Sequence, residues 1–114
     1  MSETDQFGSK PTSGTVTVAS AAQLSDAYSL NGTTLAAFET PAAITGTTYT
    51  FHGSIDNGAT YAEICDNTGA AITYLNVAAS KTYPLDMRYF APYDKVKIKT
   101  GTNEGADRDW ETFK

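Results

Sequence analysis

The stretch TTYTFHGSIDNGATYAEICD, residues 47 to 66, contains two runs of extended character separated by a turn sequence. In the first run, Tyr49 and Phe51 alternate with polar residues, a period of two that is typical of a strand with one buried face. Residues 56 to 58, Asp-Asn-Gly, tolerate positive φ and favour a tight turn. Residues 60 to 66 then form the predicted returning strand. This stretch therefore predicts an antiparallel hairpin.

Shorter runs of the same kind flank this hairpin on both sides. We predict further strands over residues 15 to 19, around Tyr28, and over residues 35 to 40, 71 to 77, 95 to 100 and 109 to 113. Residues 83 to 92, bracketed by two prolines, are predicted to be a packed loop with one helical turn over 85 to 90. The predicted core contains Val16, Val18, Leu35, Tyr49, Phe51, Ile64, Ile72, Val96 and Ile98. This pattern predicts an all-β antiparallel sandwich of the jelly-roll type.

The chain has 114 residues, which suits one domain. Residues 1 to 14 are polar, without periodicity, and are predicted to form an extended N-terminal arm; residues 15 to 114 are predicted to be the sandwich. Phe7 is the aromatic residue of this arm and is predicted to anchor it on a partner. The N-terminus lacks a signal peptide's apolar stretch, and no apolar run reaches the ~20 residues of a membrane span. We therefore expect synthesis in the cytoplasm and no membrane partner.

The net charge and the two charged segments of the chain indicate which class of partner to expect. A formal net charge of −5 argues against nucleic acid, which requires clustered cations. Lys95, Lys97 and Lys99 recur at every second position, which places them on one face of a strand. That face is either solvated and edge-protecting or meets an acidic partner. Asp107, Asp109 and Trp110 lie in an acidic C-terminal segment, and pairing of the two charged segments between copies would give a homo-oligomer.

Residues suited to catalysis are sparse. His52 is the one histidine and Cys65 the one cysteine, so neither has the partners that a metal site or a nucleophile and base pair requires. We expect Cys65 to be a buried thiol. Asp56 and Asp66 are explained by turn formation without a bound Ca²⁺. The sequence thus predicts a protein that is not an enzyme and has no catalytic residue, metal or cofactor.

A succession of short motifs carries a resemblance that covers residues 20 to 101. It comprises Thr-Pro-Ala at 40 to 42, Tyr-Thr-Phe at 49 to 51, Gly-Ser-Ile-Asp at 53 to 56, the turn at 66 to 69, Pro-Leu-Asp at 84 to 86, and Val-Lys-Ile-Lys at 96 to 99 before Thr-Gly. This order resembles small accessory structural proteins of tailed bacteriophages. The resemblance implies a virion protein, most simply a capsid decoration or cement protein that binds the major capsid protein or other virion proteins. A place at the head-to-tail connection, in a fibre or in the tail fits equally.

A second interpretation stays open, because the same pattern is similar to galactose-binding-like sandwiches. The chain would then be a carbohydrate-binding module of a head fibre or tail that recognises a host-surface glycan. Tyr83, Tyr89 and Tyr93 would stack against sugar rings, whereas aromatic residues in such loops also fill the ends of sandwiches. An exposed aromatic shelf would favour the sugar-binding interpretation.

Overall fold

A computed structural model of the chain describes residues 13 to 113. These residues form eight strands and one 3-10 turn, Met87–Tyr89. In chain order the strands are β1 Ser13–Val18, β2 Tyr28–Ser29, β3 Ala37–Glu39, β4 Tyr49–Ser54, β5 Ala62–Glu63, β6 Thr82–Pro84, β7 Lys95–Thr100 and β8 Arg108–Phe113. The predicted all-β class is confirmed. This part of the chain has no helix with the length and apolarity to cross a membrane.

The strands form two four-stranded sheets that pack against each other. The first has the order β1-β8-β3-β6 and the second the order β2-β7-β4-β5. Every neighbouring pair is antiparallel. Only the step from β4 to β5 stays within one sheet, so the chain changes sheets at each of the other steps. The two antiparallel sheets agree with the predicted sandwich-like architecture.

Alternation along the strands produces the core between the sheets. On β7 every second residue is buried, and Val96 and Ile98 face inward while the lysines between them face outward. On β4, Tyr49 and Phe51 are fully buried, as predicted from their spacing. The predicted core is confirmed except at Ile72, which is only partly buried and packs against its edge.

The region between β5 and β7 differs from the prediction. No strand forms over residues 71 to 77, where isolated bridges occur at Ala71 and Tyr74. Asn76 adopts a positive φ of 56°, which interrupts extended backbone after Tyr74. The strand in this region is instead Thr82–Pro84, which pairs with β3 at the edge of its sheet. An edge position tolerates Pro84, which cannot donate a ladder hydrogen bond. The single turn predicted over residues 85 to 90 is present at Met87–Tyr89.

The first strand begins two residues earlier than the strand predicted over residues 15 to 19. Strand β1 begins at Ser13, which pairs with Phe113, and Gly14 pairs with Thr112. The Gly14 carbonyl also accepts a hydrogen bond of 2.8 Å from Thr112 Oγ1. Residues 13 and 14 therefore belong to the sheet because both have ladder partners on β8. Residues 1 to 12, including Phe7, lie outside the described residues.

Hydrogen bonds gather three loops at one end of the sandwich. The Leu30 amide, in the loop after β2, donates to the Asp94 carbonyl at 2.8 Å. The Asn57 amide, in the loop after β4, donates to Asp94 Oδ2 at 2.9 Å. The Asp94 amide in turn donates to the Ser54 carbonyl, 2.7 Å. Asp94 therefore joins the loops that precede β3, β5 and β7. Both ends of the described chain lie at this end too, because Ser13 pairs with Phe113 and the adjacent Gly14 lies against the Tyr28 ring of β2.

Candidate functional site

Residues 13 to 113 enclose no pocket, and they contain no group of three or more His, Cys, Asp or Glu side chains able to hold a metal ion. His52 and Cys65, the two residues with potential for nucleophilic chemistry, lie on the outer surface of the second sheet. Cys65 is exposed, so the predicted buried thiol is wrong. The reason is alternation, because Ile64 occupies the inward position beside it. Its Sγ donates to the Glu63 carbonyl at 3.8 Å.

The outward side chains of the two central strands of sheet β2-β7-β4-β5 form a basic face, which we define as Lys95, Lys97, Lys99 and His52. Strand β7 has neighbours on both sides, so its lysines do not protect a sheet edge. In the register, Lys97 lies opposite His52 and Lys99 opposite Thr50. The Lys97 Nζ lies 4.3 Å from the centroid of the Tyr61 ring, a cation–π contact. Within the described part of the chain, no lysine of this face forms an ion pair.

His52 is the titratable group of the basic face with a perturbed pKa. Burial lowers the pKa of His52 from 6.5, and nearby Lys99 and Lys97 lower it further, whereas Glu63 opposes them. Its Nε2 atom is buried and has no hydrogen-bond partner among the described residues. Both observations favour the neutral imidazole, since a charged ring would place a second proton on poorly solvated nitrogen. The charge of this face is therefore carried by its lysines.

The outward side chains of the first sheet form an acidic face, which we define as Asp109, Glu111 and Glu39. Asp109 and Glu111 lie on β8, and Glu39 lies directly opposite Glu111 on β3. Threonines of β1 support the carboxylates: Thr17 Oγ1 donates to Asp109 at 2.7 Å, and Thr15 donates to Glu111. None of the three carboxylates forms an ion pair with a residue between 13 and 113. Their charge therefore faces solvent.

Two residues of the predicted C-terminal contact segment differ in their surroundings. Asp107 is exposed just before β8, and its Oδ1 accepts a hydrogen bond of 2.8 Å from the Ser20 amide. Trp110 is 0% exposed, so it is a core residue and the predicted partner contact is corrected. Its indole Nε1 donates to the Tyr49 hydroxyl at 3.0 Å. The strand alternation that turns Asp109 and Glu111 outward turns Trp110 inward.

The tyrosines predicted as sugar-stacking residues pack on the core. Tyr83 stacks on Phe38, with ring centroids 5.3 Å apart, and its hydroxyl accepts from the Ala78 amide at 2.9 Å. Tyr89 and Tyr93 are also partly buried against core residues. The three tyrosines are therefore explained as side chains that fill the edges of the core.

Glu104 is a buried acid that sequence reasoning did not single out. It is 1% exposed, and its carboxylate accepts from the Thr45 amide at 2.9 Å and the Gly46 amide at 2.8 Å. Arg108 lies beside it, with Nε 3.5 Å from Oε1. The Glu104 amide donates to Ala22, so this residue joins three loops at the end opposite Asp94. No periodic pattern marks it, because it lies in an irregular Gly-rich loop.

The predicted turn roles of the two acidic hairpin residues agree with their contacts. Asp56 accepts hydrogen bonds from Ser54 and Thr60, which lower its pKa to about 2. Asp66 accepts from Thr68 and from the Ala70 amide, and its pKa is also lowered. Both carboxylates therefore stabilise their turns as anions.

The comparisons with known proteins give no relative from which a role can be transferred. No family model, no curated protein and no solved structure matches the chain. The functional argument therefore depends on the motif order of the sequence and on the order of the strands.

Proposed function

We propose that this chain is a non-enzymatic structural protein of a tailed-bacteriophage particle, and that it acts as a decoration or cement protein on the capsid. Its partners would be the major capsid protein or other virion proteins, and its location the virion. The proposal combines the motif order seen in the sequence with one observation from the fold, the order of the strands.

That observation is the pair of strand orders β1-β8-β3-β6 and β2-β7-β4-β5. We propose that the sandwich is a jelly roll, a double-sheet architecture of eight strands used by viral capsid and lectin domains. In support, the first and last strands are neighbours, and the chain changes sheets at every step except β4 to β5. Fold alone does not decide function, so the sequence resemblance is needed to favour a virion role.

The proposed adhesive element is the N-terminal segment. Residues 1 to 12 precede β1, which begins at the end of the sandwich where Asp94 joins three loops. An extended segment of this length reaches at most about 40 Å. We propose that it crosses onto a neighbouring subunit and that Phe7 supplies its apolar anchor. Because ordering a segment costs roughly 1–2 kcal/mol per residue, attachment has to provide offsetting contacts.

The experiment uses phage particles assembled without this chain, to which purified protein is added. We expect the full-length chain to bind in regular copy number, visible by electron microscopy, and to raise the temperature at which the particles release DNA. A variant lacking residues 1 to 12 is expected to keep its own melting temperature and lose occupancy. Failure of the full-length chain to bind would overturn the proposal, and unchanged occupancy of the shortened chain would overturn the role of the arm.

The carbohydrate-binding alternative receives no support from the three tyrosines, because their rings pack against the core. A glycan array screened with the full-length chain distinguishes the two functions. Specific binding to one glycan class, lost on replacement of Tyr89 by alanine while the fold is retained, would favour the alternative. We expect no such binding.

A further inference from the structure

We propose that copies of this chain associate front to back, with the basic face of one copy against the acidic face of the next. The two faces lie on opposite sides of the sandwich, because one belongs to the outer surface of sheet β2-β7-β4-β5 and the other to that of β1-β8-β3-β6. The proposal deepens the proposed function by specifying how neighbouring copies meet, but its test does not depend on a capsid.

The charges repeat at the same interval on the two faces. Lys95, Lys97 and Lys99 recur every second residue on β7, and Asp109 and Glu111 recur at the same interval on β8. Both rows therefore have a repeat of about 6.8 Å. Strands β7 and β8 are each inner strands of their sheets, so both rows run near the middle of a face. Two rows of equal repeat and opposite sign can pair at successive positions.

Each face also places charges of like sign at neighbouring positions of the sheet. Glu39 and Glu111 are directly opposite each other on adjacent strands, an arrangement that destabilises a sheet when both are ionised. The lysines repeat as like charges along one strand, and none is paired with an acid among residues 13 to 113. The acidic face of a second copy would reduce the repulsion among the lysines of the basic face. The basic face of a second copy would likewise reduce the repulsion among the carboxylates of the acidic face.

One group on the basic face opposes this pairing and another supports it. The opposing group is Glu63, which lies opposite His52 on the edge strand β5 and adds a carboxylate beside the lysines. Lys97 is held above the Tyr61 ring, which fixes its ammonium group outside the sheet. On the acidic face, the strand positions beside the carboxylates are occupied by the uncharged residues Thr15, Thr17 and Thr82.

The size of the faces sets the strength of the contact. The strands of each face are about 7 to 20 Å long and spaced about 4.8 Å apart, so each face covers roughly 300 Å². Two such faces bury about 600 Å², which is less than the roughly 1,200–2,000 Å² of stable complexes. The contact is therefore weak in dilute solution and salt-sensitive, and it gains strength where copies are held close together. Because the faces differ, the contact is heterologous and produces rings or open chains.

Sedimentation velocity on the full-length chain tests the proposal. At low salt we expect the sedimentation coefficient to rise with protein concentration. At 0.5 M salt this rise should vanish, because screening shortens the range of the attraction between the two faces. The variants K97E/K99E and E39K/E111K each give one copy two like-charged faces. Each alone should associate at least about tenfold more weakly, because like-charge contacts oppose docking. An equal mixture of the two should associate again.

The control K81E/R88E has the same change in net charge as K97E/K99E but leaves both faces intact, so it should behave like the parent chain. Zero-length crosslinking of mixed light and heavy-isotope copies provides a test without variants. It should join lysines of β7 to acids of β8 or β3 in different copies. Association that is absent at low salt, unchanged in K97E/K99E, lost equally in the control, or not restored in the mixture would overturn the proposal.

Discussion

At the scale of single residues, the core is organised by a polar contact between two aromatic side chains. Trp110 of β8 donates its indole N–H to the Tyr49 hydroxyl of β4, at 3.0 Å, and both side chains are 0% exposed. Their strands belong to different sheets, so this bond joins the two sheets across the core. Burial raises the pKa of Tyr49, which therefore stays protonated and keeps its role as acceptor.

The bond between Trp110 and Tyr49 predicts coupled effects on stability. Tyr49→Phe leaves the buried indole N–H without its partner and should lower the free energy of unfolding by about 1–3 kcal/mol. Trp110→Phe removes the donor and leaves a cavity, so it should cost at least as much. The double variant should cost less than the sum of the two, as measured by urea unfolding followed by circular dichroism. Additivity to within about 0.5 kcal/mol would contradict the coupling.

His52 predicts a pH dependence of stability. Burial is the main cause that lowers its pKa below 6.5 in the folded chain, so the unfolded chain binds the proton more readily. The stability contribution of neutral His52 is complete above pH 6.5 and is lost as the pH falls below that value. Urea midpoints measured between pH 7.5 and 5 should therefore decrease, and His52→Gln should flatten this decrease. An identical decrease in His52→Gln would show that other groups cause it.

At the scale of elements, short strands are held in place by loops that pack against them. Gly53 of β4 is the clearest case, because the Tyr93 ring before β7 lies directly against its Cα. A Cβ at this position would lie 2.3 Å from Tyr93 Cδ1 and 2.7 Å from Cγ. The loop between the 3-10 turn and β7 can therefore reach the sheet only where β4 has no side chain.

The packing of Tyr93 on Gly53 predicts different outcomes for two alanine substitutions. Gly53→Ala should displace the Tyr93 ring and lower the free energy of unfolding by about 1–3 kcal/mol. Gly105→Ala is the matched control, since its nearest contact would be Thr45 Oγ1 at 3.5 Å, an ordinary separation. It should change stability by less than about 0.5 kcal/mol. Equal melting temperatures of the two variants would show that the Tyr93 ring does not restrict this position.

At the scale of the whole molecule, the two ends of the described chain pair with each other. Strand β1 pairs with β8 from Ser13 opposite Phe113 to Val18 opposite Arg108. Val16 and Val18 of β1 are buried in the core. The fold therefore depends on contacts between residues far apart in the sequence, which is typical of slowly folding β proteins.

This pairing predicts where the chain can be shortened. Removal of residues 1 to 12 leaves β1 complete, and the melting temperature should stay within a few degrees of that of the parent chain. Removal of residues 1 to 18 eliminates every ladder pair of β1 with β8 and two core valines, so the cooperative transition should be lost. Thermal unfolding by circular dichroism checks both. A large decrease after the shorter deletion would make residues 1 to 12 part of the fold.

Features that depend on neighbours in the chain were predictable from the order of the amino acids. The alternation of Val96 and Ile98 with three lysines predicted both the strand and the shared side of the lysines, because successive side chains of a strand point to opposite faces. The turn after β4 was predicted from Asn57 and Gly58, which have φ values of 59° and 92°.

Features that depend on distant partners became visible in the folded chain alone. A period of two shows that a strand has two faces, but it does not say which sheet the strand joins or which residue lies opposite. The placement of β7 and β8 in different sheets sets the basic and acidic faces on opposite sides. The burial of Trp110 and Glu104 likewise followed from non-local packing. Trp110 bonds Tyr49, which is 61 residues away in sequence, and Glu104 bonds Gly46, which is 58 residues away.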